Sequence, residues 1–280
     1  MNVRGILLRT GVYIAIPFLF LAFWAFMAWH MKNEVILPGV GQVAQLFMEP
    51  TKSLIAMGPL TINVAVSLVR VLSGYLLAVC LAVPLGILMG YYGTVFRLMN
   101  GFLAMFRPIP PLAWVPLVLA WFGITSFATL FGVERGYAYL YLNNLKFSMI
   151  FIIFIGAFYP ILTSAIHGVM SVRNTLLDSA RVLGASEWDI FRKILLPASS
   201  PSIVNGMRIG LGVAWMCLVS AEMLPGSLSG VGYLITHAYT LARTDIVIAG
   251  MISIGAIGAF LDLFFRIIEK RKFVWTRLTR

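Results

Sequence analysis

A chain of 280 residues that is 60% hydrophobic and only 11% charged, with a mean hydropathy of +0.94, cannot fold as an ordinary water-soluble domain. Its formal charge of +11 would suggest nucleic acid in a soluble protein. In a chain this apolar the distribution of charge matters more than its sum, and no nucleic-acid partner is expected. The class that remains is an all-α, polytopic membrane protein, a single transmembrane domain over residues 1–280.

Crossing about 30 Å of hydrocarbon takes roughly 20 helical residues. Gly11–Trp29 carries no charge and reads as an uncleaved first span, since no small-x-small cleavage site precedes His30. Val40–Met57 has apolar residues at roughly helical spacing and reads as a helix lying on the outer surface. Val71–Phe96 is the second span. Its Gly86-Ile-Leu-Met-Gly90 step allows close helix approach, read as packing within one subunit rather than a dimer contact. Gly206-Met-Arg-Ile-Gly210 has the same pattern.

Pro108–Val133 is the expected third span, opened by the run from Arg107 to Pro116. Proline is tolerated in a helix's first turn, but Pro116 lies deeper and is expected to cost a backbone hydrogen bond. Broken membrane helices face protein or a water-filled cavity, so Pro110, Pro111, Trp114 and Pro116 are candidate walls of a pathway, a kinked structural helix being the alternative. Ile124–Lys146 reads as an outer loop or short surface helix, with Tyr137, Tyr139 and Tyr141 at headgroup level. Phe147–Val172, Ile203–Ala221 and Ile246–Leu261 complete six spans. Cys80 and Cys217 fall inside helices and read as apolar fillers.

Placing the N-terminus in the cytoplasm and alternating sides puts fifteen Lys and Arg inside, Arg97 and Arg107 among them, and six outside. Both termini and the 173–208 loop are then cytoplasmic. Glu222, at the outer end of span five beside Pro225-Gly226, either lines an outer gate, touches an outer protein, or pairs with Arg70 or Arg243. Asp262 and Arg266 form an i, i+4 pair.

The cytoplasmic loop 173–197 is the most distinctive stretch. Leu177, Ala180, Leu183 and Gly184 recur at three- and four-residue steps, giving one apolar helical face, with Glu187, Asp189, Arg192 and Lys193 supplying charge. Asp178-Ser-Ala180, three residues, Gly184, nine residues, Ile194, one residue and Leu196-Pro197 together resemble the "EAA" loop of permease subunits of bacterial ABC importers. The run Arg107 to Pro116 with Trp121-Phe122-Gly123, then Gly156 to Ile161, Ala221-Glu222-Met223 and Gly230-Val-Gly232, are similar to the nitrate/sulfonate/taurine branch. The resemblance covers a core of residues 61–271. The stretch Thr125–Lys146 departs from it as an unusually long outer insertion.

The resemblance implies a type I, MetI-like permease fold in a bacterial inner membrane. It also implies ATP-driven import of a small anion by alternating access. Leu177, Asp178, Ala180, Leu183, Gly184, Ala185, Glu187, Ile194, Leu196 and Pro197 would then meet a separate ATP-binding subunit. That subunit would hold ATP and Mg; this chain binds no cofactor and is not an enzyme. A second permease copy, making a homodimer, and an extracytoplasmic solute-binding protein complete the expected partners besides lipid. The chain has no Gly-x-x-x-x-Gly-Lys-Ser/Thr phosphate loop. The docking loop separates this reading from an ATP-independent channel or secondary carrier. A membrane-embedded enzyme would need clustered His, Asp or Cys in the spans, and none is present.

Overall fold

The computed structural model describes residues 3–223 and 227–273, with the side chains of 3–14 and of 138, 140 and 141 left aside. Its described elements are helical. The helices are α1 (Val3–Met31), α2 (Val40–Met48), α3 (Leu60–Tyr91), α4 (Gly93–Phe106), α5 (Val115–Phe122), α6 (Phe127–Leu130), α7 (Tyr137–Asn143), α8 (Phe147–Met170), α9 (Asn174–Val182), α10 (Glu187–Ile190), α11 (Leu196–Glu222), α12 (Val231–Thr240) and α13 (Thr244–Lys272). Among the described residues four helices (α3, α8, the merged α10–α11 run and α13) are long and apolar enough to cross a bilayer, and five do if the bent pair α4–α5 counts as one span. Of the expected first span, the part with described side chains, Ala15–Met31, is apolar but shorter than those four.

α8 is the axis of the bundle. Fourteen of its residues are buried, and α3 and α11 pack against it. Glycines set both contacts. A Cβ on Gly74, Gly86 or Gly90 of α3 would stand 2.7, 2.5 or 2.6 Å from Cβ of Ile153, Ala165 or Val169. The numbering advances equally on both helices, so α3 and α8 run parallel. On α11, Gly206 meets Ser164 and Gly210 meets Ile161, so α11 runs antiparallel to α8. The Gly86–Gly90 and Gly206–Gly210 steps therefore serve packing within the subunit.

Parallel α3 and α8 need a return crossing between them, and α4–α5 supplies it in broken form. Gly93–Phe106 and Pro111–Phe122 meet at 81°. The elbow is Arg107–Pro110 followed by one 3-10 turn, Pro111–Trp114. This corrects the bounds of the broken or kinked span expected over Pro108–Val133: the crossing begins at Gly93 and ends at Phe122. Pro116 falls in the first turn of the new helix α5, where a missing N–H costs nothing. The break is made upstream, where Pro108, Pro110 and Pro111 cannot extend α4. Arg107, expected at the cytoplasmic edge, is the C-cap of α4 inside the crossing.

The segment 125–146 forms two short helices, α6 and α7, closed at its base. Phe127 N–H donates to Leu145 O (3.2 Å) and Phe147 N–H to Thr125 O (3.1 Å). The rings of Phe127 and Phe147 pack at 4.7 Å.

Candidate functional site: the docking loop and the far-end knot

The loop between α8 and α11 is built around two turns. α9 ends in a Schellman motif, Ala185 N–H reaching Ala180 O and Gly184 N–H reaching Arg181 O, each at 3.0 Å. Gly184 has φ +79°, and a Cβ there would meet nothing within 4 Å. Within this chain the glycine is required by the backbone turn and not by a close approach. Ser186 then caps α10, accepting the Asp189 N–H at 3.2 Å. One π-turn, Phe191–Leu195, joins α10 to α11, with Pro197 in the first turn of the long helix. Pro197 cannot donate to the carbonyl four residues back, and the helix widens just before it.

The expected single apolar face divides in two. Ala180 is buried, and Leu177 packs with Val169, Val172 and Leu195 under the loop. Leu183 points the other way and is 86% exposed, beside Val182 at 87%. Trp188 is 66% exposed. Val182 and Trp188 are exposed apolar residues that the spacing pattern does not name; their signal is a bulky apolar side chain in the most polar segment of the chain. Ile194 and Leu196 are half-buried and Pro197 is exposed.

Charge on the loop is spent internally. Arg181 pairs with Asp178 (3.0 Å) and with Glu187 (3.0 Å). The Tyr91 hydroxyl, at the end of α3, donates to Glu187. Asp178 and Glu187 thus brace the turn. Lys193 closes on Asp189 at 2.7 Å.

The opposite end of the bundle is tied by a buried pair. Arg70 Nη1 lies 2.7 Å from Glu222 Oε1, and both side chains are fully buried. Ser67 donates to both carboxylate oxygens, and Gly232 N–H donates to Oε2 at 3.0 Å. Arg70 also reaches Asn144 O and Ser229 O, each at 2.7 Å. The knot joins α3, α11, the start of α12 and the base of the insertion. Glu222 is therefore the partner of Arg70, while Arg243 pairs with Asp245 (2.7 Å); the Pro225-Gly226 step beside Glu222 lies outside the described residues. Asp262 pairs with Arg266 at 2.6 Å, as the spacing suggests. Lys146 is 6% exposed on the same loop as Asn144. Burial, and then the nearby Arg70 charge, hold its ammonium below the usual lysine value.

At the elbow, Trp114 packs on Phe106 (ring centroids 5.9 Å) and Phe151 (6.4 Å). Pro110 and Pro116 are exposed and Pro111 half-buried. Between α2 and the α12–α13 turn, a groove of about 530 Å³ is lined by Gln42, Glu49, Lys52, Arg243 and Asp245 among others.

The family described as binding-protein-dependent transport system inner membrane component matches residues 82–274. The chain is 48% identical over 267 residues to a putative ABC transporter permease protein of Methanocaldococcus jannaschii, covering 95% of this chain and 92% of the other. It is 34% identical over 213 residues to the taurine transport system permease protein of Escherichia coli, covering 76% and 70%. Among solved structures, a bacterial alginate ABC transporter superposes with a TM-score of 0.57 at 18% identity, over 96% of this chain and 93% of that one.

Proposed function

Because the chain belongs to the binding-protein-dependent transport system inner membrane component family, we propose that it is the pathway-forming subunit of an importer driven by a separate ATPase. The cargo is a small anion of the nitrate, sulfonate, taurine or bicarbonate type. The taurine relative supports that class. One observation carries the coupling: Val182, Leu183 and Trp188 present bulky apolar surface from a braced, polar loop. In lipid such residues need no protein, but on a loop at the end of the bundle they fit a groove in a soluble partner. ATP and Mg would be held by that partner. Its movement on binding nucleotide would pass through α9 and α10 into α8 and α11, and two permease copies would alternate access between them.

In this arrangement the loop end and both termini face the cytoplasm. The Arg70–Glu222 end, with the 530 Å³ groove, faces a solute-binding protein. Leu183→Asp should abolish co-purification of the ATPase while leaving the melting midpoint of the permease unchanged. Retention of the ATPase by Leu183→Asp and by Val182→Asp would defeat the proposal. Uptake of the solute by this chain alone, without ATP, would favour an autonomous channel or carrier instead.

A further inference from the structure

The elbow of the broken span holds two hydrogen-bond donors without a partner among the described residues. Trp114 Nε1 is buried and has no partner, which is true of no other buried side-chain nitrogen or oxygen among the described residues. Arg107 is exposed, and no carboxylate among the described residues pairs with it. The sequence offers it none nearby, since no Asp or Glu occurs between Glu49 and Glu134.

Depth makes this unusual. Trp114 and Val115 pack in one cluster with Val213 and Cys217 of α11. Those residues stand five to nine positions below Glu222, about 8–14 Å along the helix. From the other side, Arg107 ends a helix of 14 residues, about 21 Å long, that starts beside the loop end of α3. Both measures put the elbow inside the hydrocarbon layer. A guanidinium at that depth is costly facing lipid and marks an ion or substrate path. Irregular backbone at membrane depth likewise belongs to a cavity or a protein contact.

We propose that the elbow is a solute contact, with Arg107 and the Trp114 indole N–H receiving a small oxyanion as it crosses. This deepens the importer reading and rests on it. A guanidinium offers a planar fork that matches two oxygens of a sulfonate, nitrate or bicarbonate. The indole offers one further donor and no acceptor. No proline of the elbow contributes an N–H, so the side chains carry the recognition. A solute with no anionic oxygen group gains nothing there.

The test uses the assembled permease–ATPase complex in proteoliposomes, with Cys80 and Cys217 replaced by alanine. Arg107→Cys is exposed to an anionic methanethiosulfonate reagent, alongside Phe18→Cys on the apolar surface of α1. Labelling at least 10-fold faster at position 107 is expected, because a thiol in lipid does not ionise. If that variant fails to assemble, Met105→Cys and Ile109→Cys carry the measurement. Uptake of taurine and nitrate is then compared for Arg107→Gln, Arg107→Lys and Trp114→Phe, with ATP hydrolysis followed in parallel. Arg107→Gln should lower uptake of whichever anion the parent complex carries by at least 10-fold, with ATP hydrolysis within 2-fold. Arg107→Lys should retain more, and Trp114→Phe should lose a few-fold. Slow labelling at 105, 107 and 109, or unchanged uptake by Arg107→Gln, overturns the elbow as a contact and leaves the importer reading standing. A parent complex that binds its ATPase but carries no anion overturns both the cargo and this inference.

Discussion

Each end of the bundle is tied by an arginine held between oxygen acceptors, and the two ties differ chiefly in their access to water. Arg70 and Glu222 are fully buried, and every other contact they make is a hydroxyl, a carbonyl or a peptide N–H. Arg181, with Asp178 and Glu187, is about half exposed. A buried pair deprived of one partner leaves an uncompensated charge, so it cannot open and close during a working cycle. An exposed pair exchanges freely with water and is worth little to stability. The far end is thereby held fixed, and the loop end is left able to rearrange.

That contrast can be broken by substitution. Arg70→Ala should have the largest effect, about 3–5 kcal/mol, because Glu222 is left charged and buried. The replacement Arg70→Met with Glu222→Leu should recover much of the loss in the same thermal unfolding measurement, since coupled sites are not additive. A double variant no more stable than Arg70→Ala alone would show the knot to be needed for packing rather than for charge. Gly184→Val comes next. A β-branched residue at φ +79° should cost about 1–3 kcal/mol locally. Faster hydrogen exchange should then be confined to residues 174–190.

Arg181→Ala should move the melting midpoint by no more than about 4 °C, because exposed pairs contribute little. Its effect should appear as weaker ATPase association. A midpoint shift as large as that of Arg70→Ala would erase the distinction between the two ends. The smallest effect concerns Lys146. Its folded value lies below 10.5, so the unfolded chain binds more protons in the window between the two values. Stability of the insertion's base should therefore rise with pH through that window. Lys146→Met should remove the slope and slow exchange of the Phe127 and Phe147 amides at neutral pH.

Much of this was legible in the residues, and what was not has a physical cause. Phe147–Met170 and Thr244–Lys272 are apolar throughout their expected spans, and the docking loop stands out because Asp178, Arg181 and Glu187 interrupt such runs. The elbow was hidden because hydropathy registers apolarity and not axis direction. Ile109, Leu112 and Val115 look alike to it whether the chain runs straight or turns through 81°. α12 has no counterpart among the expected elements because a ten-residue helix is too short to register as a span, although Val231–Thr240 buries Leu234 and Ala238. The pairing of Glu222 was offered among alternatives. Charge in a span says that a partner exists, but choosing Arg70 over Arg243 required the parallel packing of α3 on α8.

That packing has a mechanical consequence. Ile153, Ala165 and Val169 sit in three notches of α3, and the contacts advance by the same 12 and then 4 residues on both helices. Sliding one helix along the other would lift all three side chains onto backbone at once. The two helices therefore behave as a single keyed shaft, able to tilt or turn together but not to shear. A push delivered under the loop should arrive about 36 Å away, at the base of the insertion, as rotation rather than as slip. A single residue inserted into α3 between Gly74 and Gly86 would rotate the first notch by about 100° relative to the other two and unkey the shaft.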